Sequence, residues 1–308
     1  MIKLLESMLL SKFAQQFIVI HEAKSMRKAA EILTISQPAL SINLRKTEER
    51  LGTPLFIRHA NGMEPTPLGD VLYNHSKSIL NASRLLEDEI EFIINRSKKR
   101  LRVGLGVVWT TTLLPKVLKR LRREFPDYNF DFITGVAEEI AEKLKLGEID
   151  IMIAAETPKL STDTTIVRVF LKDINYVAIC NERSNLAAFE VVSLEDLSRS
   201  EIAAFENDSF AARYLTEHFG RFGLKPPKIV TTTNSAAALI SILQNTEHVS
   251  FVLDPLAKRA NKLGLKTLKT DCPFSDLAIY VYYQSSIASL PVTKKFTHFV
   301  KDIFIHEL

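Results

Sequence analysis

The stretch SQPALSINLR, residues 36–45, brings hydroxyl, amide and guanidinium groups together, and these groups hydrogen-bond to the edges of DNA bases. If the stretch is a helix at 100° per residue, one face is formed by Leu40, Leu44, Thr47 and Leu51. The opposite face is formed by Pro38, Ile42, Arg45 and Glu49. An isoleucine that points away from its own core needs another partner, and the thymine methyl groups of the major groove would suit it.

Two further helices are predicted to position this stretch. Phe13, Phe17 and Ile20 recur at helical spacing and predict a helix over about residues 12–23. Ser25 is a predicted N-cap for the next helix. The apolar side of that helix consists of Met26, Ala29, Ala30 and Leu33.

The helix that contains Ile42 has clear start and stop signals. Ser36 is its predicted N-cap, Pro38 is tolerated in the first turn, and Gly52 ends it. The break TIS leaves only a three-residue turn before it. A supporting helix followed by two short helices joined in this way is the helix-turn-helix pattern, whose second helix lies in the major groove.

The run AAEILTISQPALSINLRKTEERLGTPLFIRHANGMEPTPLG, residues 29–69, resembles the N-terminal domain of LysR-type transcriptional regulators. The resemblance rests on the SQPALS turn and helix, the EERLG segment, the LF-R wing and the T-x-x-G that opens the following helix. Two positions depart from the family: Ile42 stands where arginine is usual, and Asn43 stands where glutamine is common. The resemblance implies a winged helix-turn-helix that binds double-stranded DNA at an inverted-repeat promoter site.

Nine residues are predicted to touch DNA: Ser36, Gln37, Pro38, Ala39, Ser41, Ile42, Arg45, Arg58 and His59. Gln37, Ser41 and Arg45 would read bases, whereas Ser36, Arg58 and His59 would mostly hold phosphates. Ile42 would read a thymine methyl, although a tolerated surface isoleucine, or one packed on a neighbouring domain, is the alternative. For Arg45 and Arg58, a solvated surface charge is the alternative. Residues 1–99 contain 14 Lys and Arg and 11 Asp and Glu, so most of the chain's net charge of +4 lies in this part. This positive excess weakly favours a polyanion as partner.

A heptad stripe follows in residues 67–97. Leu72, Ile79, Leu86 and Ile93 repeat at seven, and the alternate seam positions are filled by Leu68, His75 and Ala82. The basic run Arg96–Arg100 would then form a hinge. The stripe predicts a helix that pairs two chains, and a palindromic DNA site also requires a dimer. A single helix packed on its own domain is the alternative.

The remaining residues alternate between strand and helix signals. RLRVGLGV, NFDFITG and IDIMIAA are predicted strands separated by helices, an order that favours a parallel sheet with helices on both faces. A second set contains the strands YVAICNE, IAAFEN, KIVTTTN and VSFVLD. The tail, LAIYVYYQ and VTKKFTHFVKDIFIH, is a strand and a closing helix that would complete the first set.

This arrangement resembles the LysR effector domain, in which two α/β subdomains surround a cleft as in periplasmic binding proteins. GEIDIMI fits the family's G-e-x-D-x-x-I pattern, whereas NTEHVSFVLDP departs from its usual glycine-rich A-G-x-G stretch. The predicted architecture is α+β and multidomain. It consists of a winged helix-turn-helix (1–66), a linker helix (67–97) and an effector domain (98–308). Subdomain I is placed at 100–168 and 272–308, and subdomain II at 169–271.

Effector-binding residues are predicted where strands end and helices begin, because ligands of open α/β sheets bind there. The candidates are Trp109, Thr110, Thr111, Thr134, Phe205, Asn207, Asn234 and Ser235. The hydroxyls could equally be helix caps, and Trp109 could be packed core. A carboxylate or amino-acid-like effector is expected, although Glu138 and Glu206 would instead hold a cationic ligand.

Other function classes have weaker support. There is no GxSxG, HExxH or P-loop, so no catalytic residue, metal site or cofactor is predicted, and isolated histidines such as His218 and His248 are interpreted as structural. The N-terminus lacks a signal-peptide layout and no apolar run would span a bilayer, so a cytoplasmic protein without membrane contact is expected. The expected partners are DNA, an effector, further copies forming a homodimer or homotetramer, and RNA polymerase. A redox- or partner-controlled regulator without a small-molecule ligand, using Cys180 or Cys272, is the alternative.

Overall fold

The structure is a computed structural model that describes residues 12–59, 62–95, 99–157, 160, 163, 165–206 and 208–307. The chain divides into two compact units, which are described separately. The first contains the chain up to Arg100 together with Lys145–Glu148, and the second contains Leu101–Leu144 and Ile149–Leu308.

From residue 12 onward, the described part of the first unit contains three helices followed by a two-stranded wing. These are α1 (Lys12–Ala23), α2 (Met26–Leu33), α3 (Gln37–Leu51), β1 (Phe56–His59) and β2 (Gly62–Pro65). Both predicted N-caps are present, since Ser25 Oγ accepts from Lys28 N at 3.4 Å and Ser36 Oγ accepts from Ala39 N at 3.4 Å. Gly52 ends α3 in the left-handed conformation at φ 72°. The helix-turn-helix boundaries are therefore confirmed.

The core of this unit is formed by the predicted apolar faces. Phe17, Ala29, Leu40 and Leu44 are buried together. Leu51, however, is exposed, so its predicted place on the core face is wrong. Leu51 is the last residue of α3, one turn beyond the half-buried Thr47, and no described element covers this end of the helix.

The T-x-x-G motif fixes the wing against the next helix. Thr66 Oγ1 donates to Pro54 O at 3.0 Å and accepts from Gly69 N at 3.1 Å. A Cβ on Gly69 would lie 2.3 Å from the carbonyl oxygen of Leu55, so only glycine fits without a backbone shift. Glu48 completes the junction by accepting from Leu55 N at 2.8 Å.

A 29-residue helix, α4 (Pro67–Asn95), follows. Its first turns are bound to α1, because His21 hydrogen-bonds to Asp70 at 2.9 Å and stacks on Tyr73 at 3.8 Å between centroids. The predicted seam positions Leu68, His75, Ile79 and Leu86 are exposed on this unit, whereas Leu72 packs against the core. The side chains of Ala82 and Ile93, and residues 96–98 of the predicted hinge, lie outside the described residues.

The second unit is built on a five-stranded sheet. Its strands are β3 (Lys99–Gly106), β4 (Tyr128–Gly135), β5 (Ile151–Ala155), β6 (Ile166–Ile174) and β12 (Leu277–Gln284), in the order β4-β3-β5-β12-β6. β3 and β5 are parallel, but β12 is antiparallel to both β5 and β6. The predicted parallel arrangement is confirmed for β3 and β5, whereas the returning tail strand β12 inserts in the opposite direction.

The described helices that accompany this sheet include α5 (Trp109–Thr112), α6 (Leu114–Glu124), α7 (Ala137–Lys145) and α12 (Pro291–His306). The closing helix α12 buries Phe296, Val300 and Ile303 and is joined to α6 by an Arg120 Nη1–Asp302 ion pair at 2.5 Å. Buried Asp150, from the GEIDIMI segment, accepts from Arg102 N at 2.7 Å and so ties the entry of β5 to β3.

A second group of strands forms the other half of the unit. β7 (Tyr176–Asn181) lies between β10 (Ser250–Leu253) and β11 (Leu265–Thr267), antiparallel to both, and β8 (Glu201–Phe205) runs parallel to β9 (Lys228–Thr233). The helices of this half are α8 (Leu194–Ser198), α9 (Ser209–Gly220), α10 (Ala236–Gln244) and α11 (Asp254–Asn261).

The chain crosses between the two halves later than predicted. Strand β6 continues to Ile174, which pairs with Leu277 of β12, so the predicted subdomain boundary at 168/169 would cut through a strand. The crossing falls instead at Asn175, between β6 and β7. The return crossing lies between Thr267 and Leu277, which includes the predicted position 272.

Candidate nucleic-acid interface and effector cavity

The outer side of α3 presents the predicted DNA-contacting residues to solvent. Gln37, Pro38, Ile42 and Arg45 are exposed, and Ile42 retains 53% of its accessible surface. Because α3 buries Leu40 and Leu44 on its other side, the exposed face is the predicted recognition face. Ser36 and Ala39 are exposed at the start of the same helix.

The wing adds cationic and apolar groups to this unit's surface. Arg58 Nη2 donates to Ser41 Oγ at 3.3 Å, so the wing and the recognition helix meet at two of the predicted residues. His59 lies 2.9 Å from Glu64 Oε2, and Arg45 Nε donates to Glu49 Oε1 at 2.9 Å. Both contacts are exposed, and an exposed pair such as Arg45–Glu49 contributes little to stability, so a phosphate could replace its carboxylate at little cost. Ile57, beside Arg58, is also exposed.

Asn43, the second departure from the family pattern, has a structural role. Its Nδ2 donates to Oε1 of buried Gln16 at 3.0 Å, which joins α3 to α1. Asn43 therefore serves the packing of the helix-turn-helix, and Ile42 is the departure that faces solvent.

The second unit contains a cavity of about 110 Å³ between its two halves. Aromatic and aliphatic side chains dominate its walls, among them Trp109, Tyr176, Phe205 and Phe251. The charged residues of the described lining are Glu138, Glu156 and Asp208, and no Lys, Arg or His belongs to that lining. Glu156 is paired with Arg168 at 3.2 Å.

Asp208 is positioned by the helix that it caps. Its Oδ1 accepts from Ala211 N at 2.9 Å, at the start of α9. Burial raises the pKa of the Asp208 carboxyl, the Ala211 hydrogen bond lowers it and the charge of Glu138 raises it. The pKa of Tyr176 is also raised well above its ordinary value, mainly by burial and then by the charge of Asp208.

Both domain patterns of one family match this chain. The pattern described as "Bacterial regulatory helix-turn-helix protein, lysR family" matches residues 13–70, and "LysR substrate binding domain" matches residues 95–304. The chain belongs to the LysR family of transcriptional regulators. It therefore has an N-terminal DNA-binding domain and a C-terminal effector-binding domain.

Individual relatives agree with this assignment. The HTH-type transcriptional regulator CysL of Bacillus subtilis is 28% identical over 220 residues, covering 71% of this chain and 72% of CysL. A full-length OxyR variant from Pseudomonas aeruginosa has a TM-score of 0.61 at 16% identity, over 95% of this chain and 98% of that one. Full-length CbnR, solved with its target DNA, has a TM-score of 0.51 at 19% identity, over 95% and 99% of the two chains. These structures show that the fold is shared over 95% of the chain.

Of the predicted effector-binding residues, the structure brings Trp109 and Phe205 to the cavity of this LysR protein. Trp109 is only 1% exposed and packs against Phe304 at 5.1 Å, so it is both core and wall. Glu138, noted as a candidate for a cationic ligand, also lines the cavity, whereas Glu206 is exposed and does not. Asn207 lies outside the described residues.

The predicted hydroxyl and amide ligands are not part of the described lining: Thr110, Thr111, Thr134, Asn234 and Ser235. Thr110 Oγ1 donates to its own turn at Val107 O (2.7 Å), and Ser235 Oγ caps α10 by accepting from Ala238 N at 3.3 Å. Thr134 and Asn234 are exposed, and Thr111 Oγ1 is buried without a hydrogen-bond partner among the described residues. For Ser235 the alternative prediction, that the hydroxyl caps a helix, is therefore confirmed.

Sequence reasoning missed Tyr176 and Asp208. The rule that selected Ser235, a helix start directly after a strand, also selects Asp208, which follows β8 and opens α9. Tyr176 had no such signal, because it is the first residue after the chain crossing and its surroundings come from distant segments.

The cysteines offer little to a redox switch. Cys180 is buried in β7, and burial raises the pKa of its thiol, which disfavours the reactive thiolate. Cys272 is half-buried. Among the described residues no cluster of three or more metal-ligating side chains is found, and no described helix is long and apolar enough to cross a bilayer.

Proposed function

We propose that this LysR regulator binds an inverted-repeat promoter site as a dimer or tetramer through the recognition face of α3. The observation that supports the proposal is the outward-facing set of Gln37, Ile42 and Arg45, joined to the wing through Arg58 and Ser41. Gln37, Ser41 and Arg45 supply hydrogen bonds to base edges, and Arg58 with His59 holds phosphates.

Dimer formation is assigned to the exposed stripe of α4. Leu68, Ile79 and Leu86 leave an apolar edge uncovered on the described helix. A second copy of the helix would cover this edge and place two recognition helices on successive half-sites.

The cavity of the second unit is proposed as the effector site. A ligand that binds more tightly to one arrangement of its two halves shifts the population toward that arrangement, and only this difference in affinity drives the switch. RNA polymerase is a further proposed partner, for which no surface is assigned.

Selection from a random DNA library tests the DNA-binding proposal. We expect the full chain to enrich a two-fold symmetric motif, and a Ser41→Ala, Arg58→Ala double variant to lose most of this enrichment. Arg123→Ala, which removes an exposed arginine of the second unit, is the matched control. Enrichment of an asymmetric motif, or unchanged enrichment by the double variant, would contradict the proposal.

A further inference from the structure

The effector cavity has a charge pattern that selects against anions. Asp208 faces it, and no Lys, Arg or His belongs to the described lining. The lining also includes residues at or beside the starts of α7, α9 and α11. Helix starts normally attract anions, but these three already carry acidic groups: Glu138 and Glu139 on α7, Asp208 on α9 and Asp254 on α11. Asp254 is paired with Lys258 at 2.8 Å, so the like charge that a carboxylate ligand would meet is carried chiefly by Asp208 at the start of α9.

A polar group with unused hydrogen-bonding capacity also lines the cavity. Tyr176 is only 9% exposed, and its hydroxyl has no hydrogen-bond partner among the described residues. The hydroxyl oxygen is not among the fully enclosed polar atoms that lack a partner, so it remains accessible at the cavity wall. The hydroxyl of Tyr176 is therefore available for a ligand.

The remaining walls suit an organic cation. Aromatic rings attract cations through the negative charge of their faces, and Trp109, Tyr176, Phe205 and Phe251 all line the cavity. Asp208 uses Oδ1 to cap α9, and its second oxygen has no hydrogen bond to a described residue. An ammonium group could therefore pair with Asp208 while its apolar body contacts the rings. The cavity volume of about 110 Å³ is similar to that of apolar cavities of about 150 Å³ that hold benzene.

We infer that the effector of this protein is a small organic cation with an apolar body, held by Asp208 and Tyr176 among the aromatic rings of the cavity. The inference rests on the proposed function of the cavity as the effector site, and it selects the cationic ligand over the carboxylate, both of which the sequence left open. It goes further than that function by naming the charge of the ligand and the residues that select it.

Three probes of one shape and different charge test the inference on the full-length protein: benzylamine, benzyl alcohol and benzoate. Trp109, the single tryptophan of the chain, lines the cavity and reports binding by its fluorescence, and a thermal shift gives a second measurement. We expect saturable binding of benzylamine at millimolar concentration, at least about tenfold tighter than binding of benzyl alcohol or benzoate.

Asp208→Asn removes the charge while keeping a side chain that caps α9, because asparagine caps helices as well as aspartate. We expect this variant to bind benzylamine at least about tenfold more weakly and to lose the preference for it over benzyl alcohol. Tyr176→Phe should weaken binding by a smaller factor. Asp127→Asn, at an exposed position outside the cavity, should bind as the unaltered protein does.

DNA binding of the same protein preparations is also measured without any probe. This measurement distinguishes a failure of the inference from a failure of the proposed function. Where DNA binding is intact, equal or tighter binding of benzoate overturns the inference, as does an unchanged benzylamine affinity in Asp208→Asn or the absence of benzylamine binding. If the protein binds benzylamine through Asp208 but does not select a DNA motif, the preference of the cavity for a cation stands and the proposed DNA-binding function fails.

Discussion

Replacement of Ile42 by alanine should weaken recognition of the preferred DNA site by a measurable factor. The side chain is 53% exposed in the protein, so roughly half of its surface is left for DNA to cover. Complete burial of an isoleucine side chain stabilises by about 1.5–3 kcal/mol, so the exposed half is worth roughly 0.8–1.5 kcal/mol, or about 4- to 13-fold in affinity per half-site. The fold should be unaffected, because the contacts of this residue with the core are few.

The assay is fluorescence anisotropy with the selected site and with copies in which single thymines are replaced by uracil. Uracil lacks only the C5 methyl group, so the unaltered protein should lose affinity at one position per half-site while Ile42→Ala is indifferent to the change. Ile305→Ala removes an isoleucine that is 66% exposed in the second unit, and it should bind like the unaltered protein. Ile42→Arg should bind nonspecific DNA more tightly, with a salt dependence steeper by about 0.9 per added phosphate contact. Uracil sites that bind as tightly as thymine sites would refute the proposed role of Ile42.

Three further predictions concern assembly and stability. The double variant Ile79→Asp, Leu86→Asp should sediment as a monomer, because it places charges on the exposed stripe of α4. The control Leu263→Asp, at an exposed leucine of the second unit, should leave the oligomer unchanged. An unchanged oligomer in the double variant would exclude the α4 stripe as the interface. Gly69→Ala should lower the free energy of unfolding, measured by denaturant titration, by roughly 1–3 kcal/mol, because the new Cβ would lie 2.3 Å from Leu55 O. Gly220→Ala, whose Cβ would have no atom within 4 Å, should be neutral or slightly stabilising in the same titration. Burial, and to a smaller extent the charge of Arg221, lowers the pKa of His218 below its ordinary value of 6.5. On acidification the histidine is therefore protonated in the unfolded chain before it is protonated in the folded one, and the free energy of unfolding decreases as the pH falls below 6.5. His218→Phe should flatten this loss in thermal melts between neutral and acidic pH, and an unchanged slope would contradict it.

The sequence predicted best those features whose causes are local. Ser25, Ser36 and Gly52 act within one turn of the backbone that they cap, so the helix ends of the DNA-binding domain could be read directly. The glycine of T-x-x-G was recognised from the resemblance, but its cause, the close carbonyl of Leu55, appears only in three dimensions. Leu51 was misplaced because helical periodicity shows which face a residue occupies and not where the neighbouring core ends.

Long-range pairing accounts for the remaining errors. Strand β12 comes from the tail of the chain and inserts antiparallel between β5 and β6, an order that no local pattern encodes. The cavity depends on the same kind of information. Thr134 and Gly135 are adjacent in sequence and both end a strand, yet Gly135 lines the cavity and Thr134 is exposed. A strand gives two alternating faces, and only tertiary packing decides which face meets a ligand.

The capping hydrogen bond of Asp208 has an evolutionary consequence. Most charged residues in a ligand cavity can be exchanged without loss of the fold, but this one must also hold the first turn of α9 through Ala211 N. Its acceptable replacements are the other good caps, asparagine, serine and threonine, all of which are uncharged. A single base change in the codon converts aspartate to asparagine and would alter the charge of the cavity while the helix stays intact. Regulators with this scaffold could therefore acquire responses to neutral metabolites by one mutational step, without passing through an unfolded intermediate.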